Sequence, residues 1–149
     1  GQMGSQRNVG SANAFSFYQS TINNTAYDNG TQFNMLASTW DAAGNRTDGV
    51  ILMGALAHVM RNNIGYPDDN TNMQGVDSQF NSWDLGLSPS DADFLSVSDE
   101  DMLGPRQPDG SLPDLDFLRL RAGSQMIDEG TDVGIPFTGE APDLGAYEL

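Results

Sequence analysis

Two stretches, "INNTAYDNG" at residues 22–30 and "MRNNIGYPDD" at residues 60–69, follow one plan: an apolar residue, a paired Asn, a small residue, a Tyr and a polar turn. Asn is a poor strand former, yet each pair sits inside a strand-like segment. Aligning Asn24-Thr25-Ala26-Tyr27 with Asn63-Ile64-Gly65-Tyr66, and more loosely with Asn81-Ser82-Trp83-Asp84, gives spacings of 39 and 18 residues. Repeats near 20 residues, each a set of short strands, mark a solenoid whose single coil cannot bury its own inner face and must stack on its neighbours. The Asn pairs then acquire a role. At a tight corner Asn tolerates left-handed backbone, and Asn stacked at one corner of successive coils can hydrogen-bond along the stack as a ladder. The expected fold is all-β: a parallel β-helix with two coil lengths, one of them carrying an insertion.

The flanking sequence fits that frame. Residues 14–27 alternate loosely through Phe15, Phe17, Ile22 and Tyr27, Asn29-Gly30 marks a turn, and "TQFNML" resumes a short strand. "STWDAAGNRTDG" (38–49) is a polar excursion rich in turn residues. In "VILMGALAHVMRNN" (50–63), Gly54, the β-branched residues Val50, Ile51 and Val59, and the terminal Asn pair favour two strands meeting at a bend over one helix. From about residue 84 the chain is rich in Pro and Gly, with isolated apolar pairs and no long strand. Two regions follow: coils over 1–83, and an irregular C-terminal cap over 84–149 pinned by Phe94-Leu95, Leu118-Leu120, Met126-Ile127 and Leu144.

A chain of 149 residues with 38% hydrophobic content can bury a core. Twenty-one Asp and Glu face six Arg and no Lys, for a net charge of −15. That charge repels phosphate backbones and anionic membrane surfaces, so no nucleic-acid partner is expected. Zero Cys excludes disulfides and thiolate metal sites. No run of 18 apolar residues is present to span a membrane. The N-terminus "GQMGSQRNVG" carries neither a leader pattern nor an initiator Met and reads as the middle of a longer chain.

The segments "NNTAYDNGTQFNM", "AHVMRNNIGYPDD", "NSWDLGLSPSDADFLSV" and "RQPDGSLPDLDFLRLRAGSQMIDEGTDVGIPFTGEAPDLGAYE" together resemble the C-terminal part of polysaccharide lyase family nine, the pectate-lyase-like right-handed parallel β-helices, which implies a right-handed winding here. The likeness covers nearly the whole chain. Its last piece, "AGS..ID.G" with "DLGAYE", also resembles the ending of secreted bacterial β-helix proteins of other activities. The resemblance implies a secreted bacterial protein, extracellular or periplasmic, that cleaves polygalacturonate or a related pectic polysaccharide by β-elimination. In such enzymes Ca²⁺ held by clustered Asp acidifies the proton α to a uronate carboxylate, and a Lys accepts it. The family places that cluster and that base upstream of the region matched here, and this sequence has no Lys. The chain is therefore expected to be a fragment lacking its N-terminal coils and inactive alone. It should hold neither catalytic residues nor a Ca²⁺ site of its own. Pectin, an acidic plant polysaccharide, would be the partner of the intact protein.

Individual residues were weighed against that reading. Gln2, Arg7 and Asn8 would lie nearest the upstream coils and are the candidate edge of a sugar-binding groove, with Arg7 able to grip a uronate carboxylate bidentately. His58, the sole His, sits in an apolar stretch and reads as structural; no second His or Cys completes a zinc site. "DDNTNMQG" (68–75) places Asp68, Asn70 and Asn72 at alternate positions, but Met73 stands where an EF-hand needs Gly and Gln79 where it needs Glu, so a coil-to-coil loop is expected. Asp91, Asp93, Asp99, Glu100 and Asp101 read as a solvated acidic face. Asp114 and Asp116 alternate as if on one strand face, at a spacing that glycoside hydrolysis could use, though a solvent-facing pair is expected. Arg119 and Arg121 are expected to pair with nearby Asp. Trp40 could stack on a sugar, whereas Trp83 is expected to be buried and to close the coil stack. The rival readings are a noncatalytic β-helix module that binds carbohydrate or serves as surface scaffold, and a glycosidase using Asp114 and Asp116.

Overall fold

The computed structural model describes residues 2–3, 20–36, 39–40, 46–47, 58–67, 71–74, 76–100, 102, 104–111 and 113–149. Its strands are β1 (Gln2–Met3), β2 (Ser20–Ile22), β3 (Thr25–Tyr27), β4 (Phe33–Leu36), β5 (Thr39–Trp40), β6 (Arg46–Thr47), β7 (His58–Arg61), β8 (Ile64–Tyr66), β9 (Thr71–Gln74) and β10 (Val76–Gln79). One helical turn, α1 (Ser82–Leu85), and a 3-10 turn at Asp91–Asp93 follow.

The strands repeat in threes. β2, β3 and β4 form one coil; β7, β8 and β9 form the next; β10 begins a third. Each strand pairs in parallel with its counterpart in the adjacent coil, giving sheets ordered β2-β7-β10, β3-β8 and β1-β4-β9. Thr21 lies opposite Met60, Ala26 opposite Gly65, and His58 opposite Val76. This is parallel β-helix stacking. The insertion between the first two coils contains an antiparallel ladder, β5 with β6.

The corner between the first two strands of each coil explains the Asn pairs, and the two members divide the work. Asn23, Asn62 and Phe80 occupy left-handed backbone, with φ of 52°, 57° and 58°. The residue that follows each one forms a column. The backbone N–H of Asn24 donates to Asn63 Oδ1 (3.0 Å), and that of Asn63 donates to Asn81 Oδ1 (2.9 Å). The Nδ2 of Asn63 reaches Thr21 O in the preceding coil and Arg61 O in its own; the Nδ2 of Asn81 repeats this with Met60 O and Gln79 O. Asn63 and Asn81 are fully buried. Burying two amides without partners would cost several kcal/mol, of order 1–3 per group; here every rung is satisfied by the next.

Side chains alternate across the coil wall, as strand geometry requires. Ala26, Phe33 and Met60 form a buried inner cluster with Met73, Val76 and Trp83 against it. Ile64 and Tyr66 belong to a second cluster with Phe94, Leu118, Leu120, Met126 and Leu144, all supplied by the C-terminal segment packed against the β3-β8 sheet. Tyr27 stacks on Tyr66 at paired register, centroids 5.6 Å apart, and meets Phe117 edge-on.

Several expectations change. The third copy of the motif keeps its spacing but turns into α1, because Asp84 accepts the N–H of Asn81 while Asn81 O accepts that of Asp84, a reciprocal cap that starts a helix. Residues 71–74 are strand β9, not a coil-to-coil loop: the third sheet needs a rung, and Thr71 pairs opposite Phe33. Of the Phe94-Leu95 pair only Phe94 is buried; Leu95 is 45% exposed, since one-residue alternation sends it outward. Trp83 is half-buried, with its Nε1 donating to Ser78 Oγ and its ring 5.1 Å from Phe33. The bend expected within 50–57, and Phe15 and Phe17, lie outside the described residues.

Candidate functional site

The acidic residues of the C-terminal segment are the chemical groups in greatest supply, and the structure gives many of them a definite task. With few strands in this region, backbone N–H groups need other acceptors. Asp93 is buried and accepts from the N–H and Oγ of Ser90, the N–H and Nε2 of Gln125, and Ser124 Oγ. Asp128 Oδ1 accepts the N–H groups of Glu140 and Ala141. Asp143 accepts those of Asp128 and Leu149, and Glu148 that of Asp143. Burial pushes the Asp93 carboxyl up, but the hydrogen bonds from Ser90 and Gln125 outweigh it and hold its pKa below the usual carboxylate value. Burial and the neighbouring Asp143 charge raise that of Glu148.

Among the described residues no group of three or more His, Asp or Glu is arranged to hold a metal ion. Asp93 uses both carboxylate oxygens, and Asp128 Oδ1 and Asp143 accept main-chain N–H groups, so these carboxylates serve as turn acceptors. The expected solvated acidic face is thus corrected at Asp93, a buried turn cap, whereas Asp91 is exposed and accepts from Tyr66 Oη. Serine or asparagine three residues before an aspartate, as in Ser90/Asp93 and Asn81/Asp84, was the available signal.

Asp114 and Asp116 do not lie on a strand. They stand in irregular backbone between two open clefts. One cleft, of about 350 Å³, is lined by Ser96, Ser98, Leu115 and Phe117 as well as the two carboxylates. The other, of about 250 Å³, adds Arg119, Tyr147 and Glu148. Asp114 pairs with Arg119 at 2.6 Å and is 78% exposed at its side chain; Asp116 is also exposed. Both carboxylates face solvent, and only Asp114 is ion-paired. The Arg119 guanidinium lies 4.7 Å from the centre of the Tyr147 ring. Arg121 forms no ion pair among the described residues, contrary to expectation: its side chain is exposed, and its backbone N–H donates to Asp93 O.

His58 is buried on the inward side of β7, where desolvation lowers its pKa and favours neutral imidazole. Gln2 lies in β1 opposite Asn34. Arg7 and Asn8 fall outside the described residues, as do Asp68, Asn70 and Asp101. Trp40 is in β5. No described helix is long and apolar enough to cross a membrane.

No family model matches the sequence. Two curated pectate lyases do: pectate lyase L of Dickeya dadantii (strain 3937) and pectate lyase L of Dickeya chrysanthemi are each 34% identical over 128 residues. The crystal structure of pectate lyase Pel9A superimposes with a TM-score of 0.66 at 33% identity over 87% of this chain. The chain is pectate-lyase-like. It corresponds to the C-terminal portion of such a protein, in agreement with the family nine resemblance. The matched region is 85% of this pectate-lyase-like chain but only 27% of either Dickeya relative, and 29% of Pel9A.

Proposed function

We propose that this chain is the terminal coil stack of a secreted bacterial pectate-lyase-like enzyme, right-handed in its winding. Residues 84–149 act as its cap, and the enzyme cleaves polygalacturonate or a related pectic polysaccharide by β-elimination. The observation that carries this reading is the 34% identity to pectate lyases confined to about a quarter of their length, together with a sequence that holds no Lys to serve as the family's base. Base and Ca²⁺ ligands would belong to other coils. The role of this portion is mechanical: it holds the register of the stack through the Asn column and covers one outer face with the cap. Gln2, Arg7 and Asn8, on the side of β1, would form the near edge of the sugar-binding groove.

Two assays test the reading. The isolated chain incubated with polygalacturonate and Ca²⁺ should give no unsaturated, ultraviolet-absorbing product. A chimera in which this chain replaces the matched portion of Dickeya dadantii pectate lyase L should cleave polygalacturonate. Product from the isolated chain would overturn the placement of the base; an inactive but folded chimera would favour the noncatalytic carbohydrate-binding or scaffold module instead. A glycosidase built on Asp114 and Asp116 finds no support in their exposed surroundings, with Asp114 engaged by Arg119.

A further inference from the structure

The corner between β3 and β4 is built differently from the Asn-column corner. It holds Asn29-Gly30, the sole Asn followed by Gly in the sequence. Asp28, Asn29, Gly30 and Thr31 are all exposed. Asp28 sits in left-handed backbone at φ 49° and its N–H donates to Tyr66 O, which fixes the start of the turn. Asn29 is tied through its main chain: its N–H donates to Oε1 of the buried Gln32, while its side-chain amide has no hydrogen-bond partner among the described residues. Gly30 carries no Cβ, and one placed there would meet open space.

Asn81-Ser82 makes the comparison, because there too a small residue follows Asn. Both are fully buried. Asn81 Nδ2 donates to Met60 O and Asp84 Oδ2, and its Oδ1 accepts from Asn63. The chemistry that separates the two positions is attack of the main chain on a side-chain amide. The deprotonated backbone nitrogen of the following residue adds to the Asn Cγ, the Cγ–Nδ2 bond breaks, the proton leaves with ammonia, and a five-membered succinimide closes. Water then opens the ring. Entry at Cγ leaves an ordinary Asp; entry at the main-chain carbonyl leaves an isoaspartyl link in which Cβ has joined the backbone. A bulky following residue crowds that attack, and an amide held by several hydrogen bonds cannot swing into it, so an exposed Asn-Gly with an unheld amide reacts first.

We infer that Asn29 is a self-modification site, converted to aspartyl and isoaspartyl forms in the folded chain while the buried Asn column is preserved. The two products differ in consequence. The aspartyl form adds one exposed charge to a chain that carries −15, which water screens. The isoaspartyl form lengthens the main chain between two strands pinned in register, Tyr27 opposite Tyr66 and Phe33 opposite Thr71. The extra backbone atom must be absorbed within residues 28–32, at the expense of the Asn29–Gln32 bond or of the first rung of β4.

Peptide mapping of the full chain, aged in mildly alkaline buffer with and without urea, reads the site. Trypsin separates Asn29 (residues 8–46) from Asn81 (residues 62–106), fragmentation assigns each amide-to-acid mass gain, and methyl transfer by protein isoaspartate methyltransferase scores the isoaspartyl share. In native buffer Asn29 should convert at a rate close to that in urea, whereas Asn81 should convert only in urea. Asn29→Gln, which would have to close a slower six-membered ring, should lose the product and keep the urea midpoint. In the aged chain, hydrogen exchange of residues 33–36 should be roughly fivefold faster than in Asn29→Asp, the loss of about one hydrogen bond. Conversion of Asn29 in native buffer far below that in urea would overturn the inference, since the fold would then hold the reacting atoms apart. So would equal conversion at Asn29 and Asn81 in native buffer, or an isoaspartyl form whose residues 33–36 exchange no faster than those of Asn29→Asp.

Discussion

The inside of the coil stack and the outer face of the β3-β8 sheet are held by different physics. On the inner face, Ala26, Met60 and Phe33 pack within coils whose strands register every rung, and one amide per corner serves the coil before and the coil after. On the outer face, Ile64 and Tyr66 are covered by a segment with few strands, in which Asp93, Asp128 and Asp143 stand in for missing ladder acceptors. A repeat distributes its hydrogen bonds, whereas an irregular cover concentrates them on a few carboxylates. The inner face should therefore resist acid and the outer face should not.

The largest effect should come where the cover meets the wall. Gly145 has φ +89°, donates its N–H to Asn62 O at 2.7 Å, and a Cβ there would sit 2.6 Å from Thr25 Oγ1 and 2.7 Å from Ile64 Cδ1. Gly145→Ala should cost about 4 kcal/mol from strain and overpacking, measured by urea unfolding. A cost under about 1 kcal/mol would mean that the cover does not seat on β8 as described.

Asn63→Ala should follow at about 3 kcal/mol. It takes the Oδ1 acceptor from the Asn24 N–H and the Nδ2 donor from Thr21 O and Asn81 Oδ1, the last keeping only the backbone N–H of residue 63. Its effect should spread to strands of both neighbouring coils in hydrogen exchange, whereas that of Gly145→Ala should stay with residues 124–149.

Acid sharpens the contrast. Asp93 has a folded pKa lowered from 3.8, so its stabilisation is present above that unfolded value and is lost as pH falls through the lower folded one. Glu148 runs the other way: its pKa is raised from 4.5, so its ionised form costs stability above the folded value, and that cost is relieved on acidification. The net expectation is loss of protection in residues 86–125 below about pH 4, before residues 58–66 open. Asp93→Asn should weaken the cover at neutral pH and flatten its acid limb.

The smallest effect belongs to the coil exterior. Arg61 bridges to Asp77 at 2.7 Å, which lowers the Asp77 pKa chiefly through that hydrogen bond. The Asp77 side chain is 43% exposed, so Asp77→Asn should cost about 1 kcal/mol or less and less still in salt.

The sequence revealed the inner face far better than the outer. Asn24, Asn63 and Asn81 recur at the coil spacing, so their alignment already named the rungs that the structure joins. Strand β9 was hidden because "TNMQ" has no apolar alternation and is defined only by its pairing with Phe33–Leu36. The caps were hidden for a related reason. Asp93 reaches Gln125 across 32 residues and Asp128 reaches Ala141 across 13, with no period to betray either pairing. The site was the least legible part: Gln2, Arg7 and Asn8 are singled out only by their place nearest the upstream coils and by the fit of a guanidinium to a uronate, with no spacing pattern behind them.

The central claim is that successive corners act on one another through the Asn column. It is tested most directly by a double-mutant cycle on Asn63→Ala and Asn81→Ala, read by urea unfolding. Donation of Asn63 N–H and Nδ2 to Asn81 Oδ1 predicts a coupling of about 1 kcal/mol or more. Strict additivity would show that the two residues cap their own turns independently, and would contradict the stacked-corner account.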